Sequence, residues 1–184
     1  MKKIKSTLLL LVVLFSCSEE SYIPKPSTYL RLTYPERNYV NYKDTCDFSF
    51  TIPDYFEVEN KVRSCNKDIN FKGLNGTLYL SYMPMDTSLS AYVNFSYSKV
   101  EEHKTKATAI VDTNILNPEN GVYGTYFLLK GNVAKPIQFY LTDSTDMFMN
   151  GYVMFNTVPN YDSLAPIIHF VGDDIKKLMQ TTQF

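Results

Sequence analysis

Two hydrophobic periods run along the chain. Ile137, Phe139 and Leu141 alternate with Gln138, Tyr140 and Thr142, and Met149, Gly151, Val153 and Phe155 define one face of the run that follows. A period of two puts successive side chains on opposite faces, so both runs are predicted strands with one buried face. Asp143 and Asp146, with two hydroxyl residues between them, predict the turn that joins them. Further strands are predicted at 48–52, 55–62, 77–83, 107–115 and 122–129, with Asn75-Gly76 and residues 117–121 as turns. Two other segments step by four and three. Leu89, Val93, Ser96, Val100 and His103 form one such stripe, and Leu164, Ile168, Val171, Ile175 and Leu178 the other. The second predicts a terminal helix with Asp162 as its N-cap and with Asp173, Asp174, Lys176 and Lys177 off the stripe. Residues 29–42 hold four tyrosines around Pro35, too aromatic for a linker and too interrupted for a regular element. They are expected to wrap the domain. Hairpin-linked strands with two helices predict an α+β fold, a largely antiparallel β-sheet packed with an internal helix and a C-terminal helix.

The amino-terminal end follows neither period. Lys2, Lys3 and Lys5 precede an apolar run from Leu8 to Phe15. This is the charge pattern of an export signal, and the run is well short of the roughly 20 residues that a spanning helix needs. Leu14-Phe15-Ser16-Cys17 resembles a bacterial lipobox, which assigns residues 1–16 as a lipoprotein signal peptide and Cys17 as the lipidation site. Acyl chains of the palmitate type on that cysteine would anchor the protein stably where a single chain would be marginal. Residues 17–28 are polar and carry Pro24 and Pro26, the composition of a tether, with a reach of at most about 40 Å. Residues 29–184 then form a single globular domain.

Charge and cysteine usage narrow the chemistry. Of 184 residues, 18 are basic and 19 acidic. Loss of the three signal lysines leaves 15 basic against 19 acidic, a net charge of −4. That balance excludes a polybasic membrane patch and the positive field that nucleic acid requires. Cys46 and Cys65, 19 positions apart, are expected to form a disulfide in an oxidising envelope compartment. A catalytic thiol, the alternative, would need a nearby base. The two histidines, His103 and His169, are 66 positions apart, and no metal-ligand spacing, nucleophile elbow or phosphate loop is present. No cofactor, no metal and no enzymatic activity are expected. The fifteen tyrosines suit either protein interfaces or cross-strand pairing.

Four segments carry a family likeness: Tyr22-Ile23-Pro24-Lys25-Pro26, Tyr29-Leu30-Arg31-Leu32 with Tyr34-Pro35-Glu36, Gly76-Thr77-Leu78-Tyr79-Leu80-Ser81-Tyr82, and Tyr140-Leu141-Thr142-Asp143-Ser144-Thr145. Together with the lipobox, the paired cysteines and the terminal helix containing Asp174, they resemble the GldD gliding-motility lipoproteins of Bacteroidetes. The resemblance implies a lipid-anchored envelope protein required for gliding motility and associated with type IX secretion; the outer membrane is the expected location, with periplasmic and surface facing both open. Its partners would be other envelope proteins of those systems, and it supplies no catalytic residues. The layered pattern is also similar to the Mog1/PsbP-like fold. A non-enzymatic scaffold is therefore the leading expectation. A ligand-binding lipoprotein that recognises glycans through stacked tyrosines is the second, and a hydrolase using one of the histidines the third.

The anchor assignment has a direct check. Intact mass of the membrane-extracted protein is expected to show loss of residues 1–16 and added acyl mass on Cys17. Cys17→Ala should yield a soluble or unprocessed precursor, and a correctly matured, membrane-bound variant would overturn the assignment.

Overall fold

A strand that alternates apolar and polar residues needs a cover for one face only, and a chain of such strands closes on itself through hairpins. The computed structural model describes residues 33–60 and 65–184. The expected signal segment, Cys17, the tether, residues 29–32 and Val62 lie outside the described residues. In chain order the elements are β1 (Tyr39–Lys43), β2 (Ser49–Pro53), β3 (Phe56–Asn60), β4 (Lys67–Phe71), β5 (Gly76–Pro84), α1 (Leu89–Glu101), β6 (Ala107–Asn117), β7 (Val122–Gly131), β8 (Ile137–Thr142), β9 (Met147–Phe155) and α2 (Tyr161–Thr181). Strands β3-β4-β5-β9-β8-β7-β6 form a seven-stranded sheet in that spatial order, and β1 pairs with β2 separately. Every pairing is antiparallel. The α+β architecture with an internal and a terminal helix follows.

Register aligns the core. Val58, Ile69, Leu78, Val153, Ile137 and Leu128 are successive cross-strand partners, so they form one row on one face of the sheet. Helix α2 covers that face with Ile168, Val171, Ile175 and Leu178, all buried. Ile167 and Met179 are buried as well, so the apolar surface of α2 is wider than the single stripe read from sequence. The reason is a second cover: Phe50 and Ile52 of β2 pack into the same core, and the Thr51 N–H donates to Thr181 Oγ1 at 2.9 Å. On the opposite face of the sheet a smaller cluster joins Val100 of α1 to Phe127 and Leu129 of β7 and to Val133 of the β7–β8 connection.

Three features depart from the sequence reading. Strands β1 and β4 were legible to neither period. Most of β1 is exposed, so it has no buried face to alternate. In β4 the inward position Lys67 is charged, which breaks the pattern at its first residue. Helix α1 stops at Glu101, and His103 sits in the following turn with its N–H donated to Val100 O at 3.1 Å. The cap of α2 is Asn160, whose side chain accepts from the Ser163 N–H, while Asp162 lies inside the first turn.

Close backbone approach between β7 and β8 depends on Gly124. A Cβ there would lie 2.0 Å from the Tyr140 carbonyl oxygen, a backbone atom with no freedom to retreat. By contrast, Gly73 in the β4–β5 turn has φ +79° with open space around it. Urea denaturation is expected to show that Gly124→Ala costs about 3 kcal/mol or more, by breaking a central strand pairing. Gly73→Ala should cost about 1–2 kcal/mol, from its left-handed backbone alone.

Candidate functional site

The segment that leads from the tether into the domain is fixed by one buried anion. Asp174 is fully buried on α2, although its neighbours Asp173 and Lys176 are on or near the surface. Its carboxylate accepts from the Tyr39 hydroxyl at 2.6 Å, from the Tyr55 hydroxyl, and from Arg37 Nε, which lies 3.0 Å from Oδ1. The guanidinium also donates from Nη2 to Phe170 O at 2.8 Å and stacks 4.1 Å above the Phe170 ring. Tyr34 stacks on the same ring at 4.4 Å. Burial, then the bond to Asp174 and its charge, push the Tyr39 phenol up to about 12, and the same causes push Tyr55 further. Both phenols therefore stay protonated donors. This clasp holds residues 34–39 against α2, which accounts for the wrapping expected of the tyrosine-rich segment.

A second anchor lies beyond β1. Asp44 and Lys67, both buried, form an ion pair at 3.0 Å. Tyr42 donates to the same carboxylate at 2.6 Å and the Cys46 N–H at 2.9 Å. Burial raises the Asp44 pKa, but the bonds from Tyr42, Lys67 and Cys46 outweigh it and hold the carboxyl below its ordinary value. Beside this pair Cys46 and Cys65 are joined by a disulfide with Cα atoms 5.8 Å apart. A loop of that length restricts the unfolded chain by about 3 kcal/mol in the chain-entropy description. The bond fastens the β1–β2 layer to the start of β4 in the large sheet.

The remaining sequence candidates separate. His169 is exposed on α2, and His103 is half-buried in the turn after α1, its proton affinity lowered by burial and by Lys135. Asp143 serves its hairpin turn: Oδ1 accepts from the N–H groups of Thr145, Asp146 and Met147, each at 2.9 Å. Among the described residues no group of three His, Cys, Asp or Glu side chains is placed to hold a metal, and no helix is long and apolar enough to cross a membrane. Most of the described tyrosines are spent inside the fold, as in the stacked pairs Tyr79–Tyr152 and Tyr140–Phe148. Tyr97 and Tyr123 differ. They are 41% and 38% exposed, and both lie on the α1 side of the sheet. Tyr97 meets Phe127 edge-on, Tyr123 lies two alternations along β7 on the same face, and its cross-strand partner Leu116 is 70% exposed.

Arg37, Tyr39, Tyr55, Asp44 and Lys67 were not singled out by sequence reasoning. Asp174 carried a usable signal: it stands three residues after Val171 and four before Leu178, so helical stepping places it among apolar neighbours.

Compared with known protein families, residues 19–184 match the family described as gliding motility lipoprotein GldD. No match is found among curated proteins.

The buried pair generates a pH-dependent expectation. Asp44→Asn should destabilise the protein by about 3 kcal/mol or more at neutral pH, because it removes the charge partner of a buried lysine. Asp44 has a lowered folded-state pKa, so its contribution is complete above the unfolded carboxyl pKa and is lost as pH falls through the folded value. The gap between wild type and variant, followed by urea titration, should therefore close in acid and stay constant from pH 6 to 8. A gap that widens in acid would contradict this account.

Proposed function

Since the chain belongs to the gliding motility lipoprotein family GldD, we propose that it acts as a non-enzymatic scaffold, docking other envelope components of the gliding and type IX secretion apparatus. Membership makes it a lipoprotein of gliding motility, anchored to a membrane of the cell envelope. The outer membrane is the membrane we assign, with Cys17 as the anchor. The observation that carries the docking role is the Tyr97, Tyr123 and Leu116 surface. These are large side chains, and Leu116 and Tyr123 are presented as a cross-strand pair on the β6 and β7 margin of the sheet. Rigid, amphipathic aromatics of this kind supply most of the energy at protein interfaces. The placement of His103 after a helix end and His169 on an open helix face supports a role without catalysis.

The test is made in the native organism. Tyr97→Ser combined with Tyr123→Ser is expected to leave protein level and membrane fractionation unchanged, to abolish spreading, and to remove the partners captured by mild crosslinking. His103→Gln and His169→Gln, made separately, should glide and secrete normally. If a histidine variant accumulates normally yet is inactive while the tyrosine variant glides, a hydrolase takes the place of the scaffold.

A further inference from the structure

Between α1 and the sheet lies a groove of about 340 Å³, away from the clasp and the disulfide. Its floor follows from strand register. Gln138 of β8 is the direct cross-strand partner of Phe127 on β7 and of Tyr152 on β9, so one amide stands between two aromatic rings. Its roof is α1, which contributes Phe95, Lys99 and Val100. At the floor, Gln138 is 6% exposed and its Nε2 is buried with no hydrogen-bond partner. A buried amide donor without an acceptor is costly, and other buried side-chain donors in this fold, such as Tyr55 and Lys67, have found acceptors.

The charges at the groove select what could satisfy that donor. Lys99 is already committed to Glu102 at 2.6 Å. Lys135 has no carboxylate partner among the described residues and lies with Nζ 4.1 Å from the centroid of the Tyr152 ring. Of the two lysines at the groove, Lys135 is the one with no carboxylate within ion-pair distance among the described residues, and one such cation beside one amide donor suits a single negative charge. A phosphate dianion would require more cations than the groove offers. The aromatic and aliphatic walls suit an apolar body, and the volume is at the small end of ligand sites.

We propose that this groove binds a small amphipathic carboxylate, its apolar body held between Phe95, Val100 and Phe127 and its acid group accepting from Gln138 Nε2 beside the Lys135 ammonium. Such a ligand gives Gln138 Nε2 an acceptor and Lys135 a carboxylate partner in a single contact. The assignment goes beyond the scaffold reading and does not rest on it, since the Tyr97, Tyr123 and Leu116 surface lies outside the lining.

The experiment uses the full lipidated chain in nanodiscs, with 4-fluorocinnamate as probe, empty nanodiscs as control, and ¹⁹F NMR as readout. Wild type is expected to bind saturably and at least tenfold more tightly than it binds the uncharged 4-fluorocinnamyl alcohol. Gln138→Leu should weaken carboxylate binding about tenfold or more, the scale of a lost hydrogen bond to a charged group, while leaving alcohol binding unchanged. Its melting temperature should rise, because an unsatisfied buried donor has been replaced by an apolar group of similar size. Lys135→Met, at a position nearer the surface, should also weaken the carboxylate and flatten its salt dependence. Absence of saturation above the empty nanodiscs, equal affinity for acid and alcohol, or undiminished carboxylate binding by both variants would overturn the proposal.

Discussion

An anion inside an apolar core must be given its hydrogen bonds by something that the rest of the chain can bring to it, and Asp174 imposes that demand on α2. The partners come from residues 37, 39 and 55, more than a hundred positions away in sequence. Hydrophobic contacts alone would let the aromatic amino-terminal segment slide over α2. The fixed directions of two phenol donors and one guanidinium set its position. Once residues 34–39 are seated, β1 is in place to pair with β2, and β2 closes the flank of α2 that the large sheet leaves open. The width of the apolar surface on α2, with Ile167 and Met179 buried beside the expected stripe, is the counterpart of this second cover.

The two faces of the sheet are therefore unequal. One is filled by a continuous cluster running from Phe48 to Met179, and the apolar cluster at α1 on the other is far smaller, with Phe148 and the polar Thr125, Gln138 and Thr142 also buried on that side. A helix seated on so small a cluster leaves space along its edge, which is where the groove lies. It also leaves large side chains at the sheet margin uncovered. Both the docking surface and the ligand groove thus arise from the same shortage of apolar cover. The α2 face has no comparable shortage.

Much of the strand pattern was legible because the seven-stranded sheet has a strongly apolar face, and a period of two survives in sequence wherever that face is uniform. Residues 137–142 are such a place, and the helical stepping of α2 is legible for the same reason, because it faces that apolar surface. Legibility failed where polarity entered the core. Lys67 concealed β4 because its charge is neutralised by a residue that the sequence gives no reason to pair with it. Asp174 was placed off the α2 stripe for the same cause, although its spacing from Val171 and Leu178 puts it among them. Strand β1 failed differently: its backbone pairing, not its side chains, determines its conformation, and backbone bonds leave no hydrophobic trace. The cysteine pair was readable from compartment and number, whereas the exposure of Tyr97 and Tyr123 among so many tyrosines depended on which rings the fold had already used.

The position of the Cys46–Cys65 bond has a mechanical consequence for a chain that is pulled through its amino-terminal end. Tension entering before Thr33 would load the Arg37 and Tyr39 contacts first and then peel β1 from β2, one backbone pair at a time. Unravelling could proceed only to Cys46. There the covalent bond diverts the load to Cys65, at the entrance to β4, so the intervening stretch containing β2 and β3 carries none of it. The force is then borne by a strand hydrogen-bonded within the seven-stranded sheet. Extension is limited to a short leash of residues ahead of Cys46, while the large core remains folded.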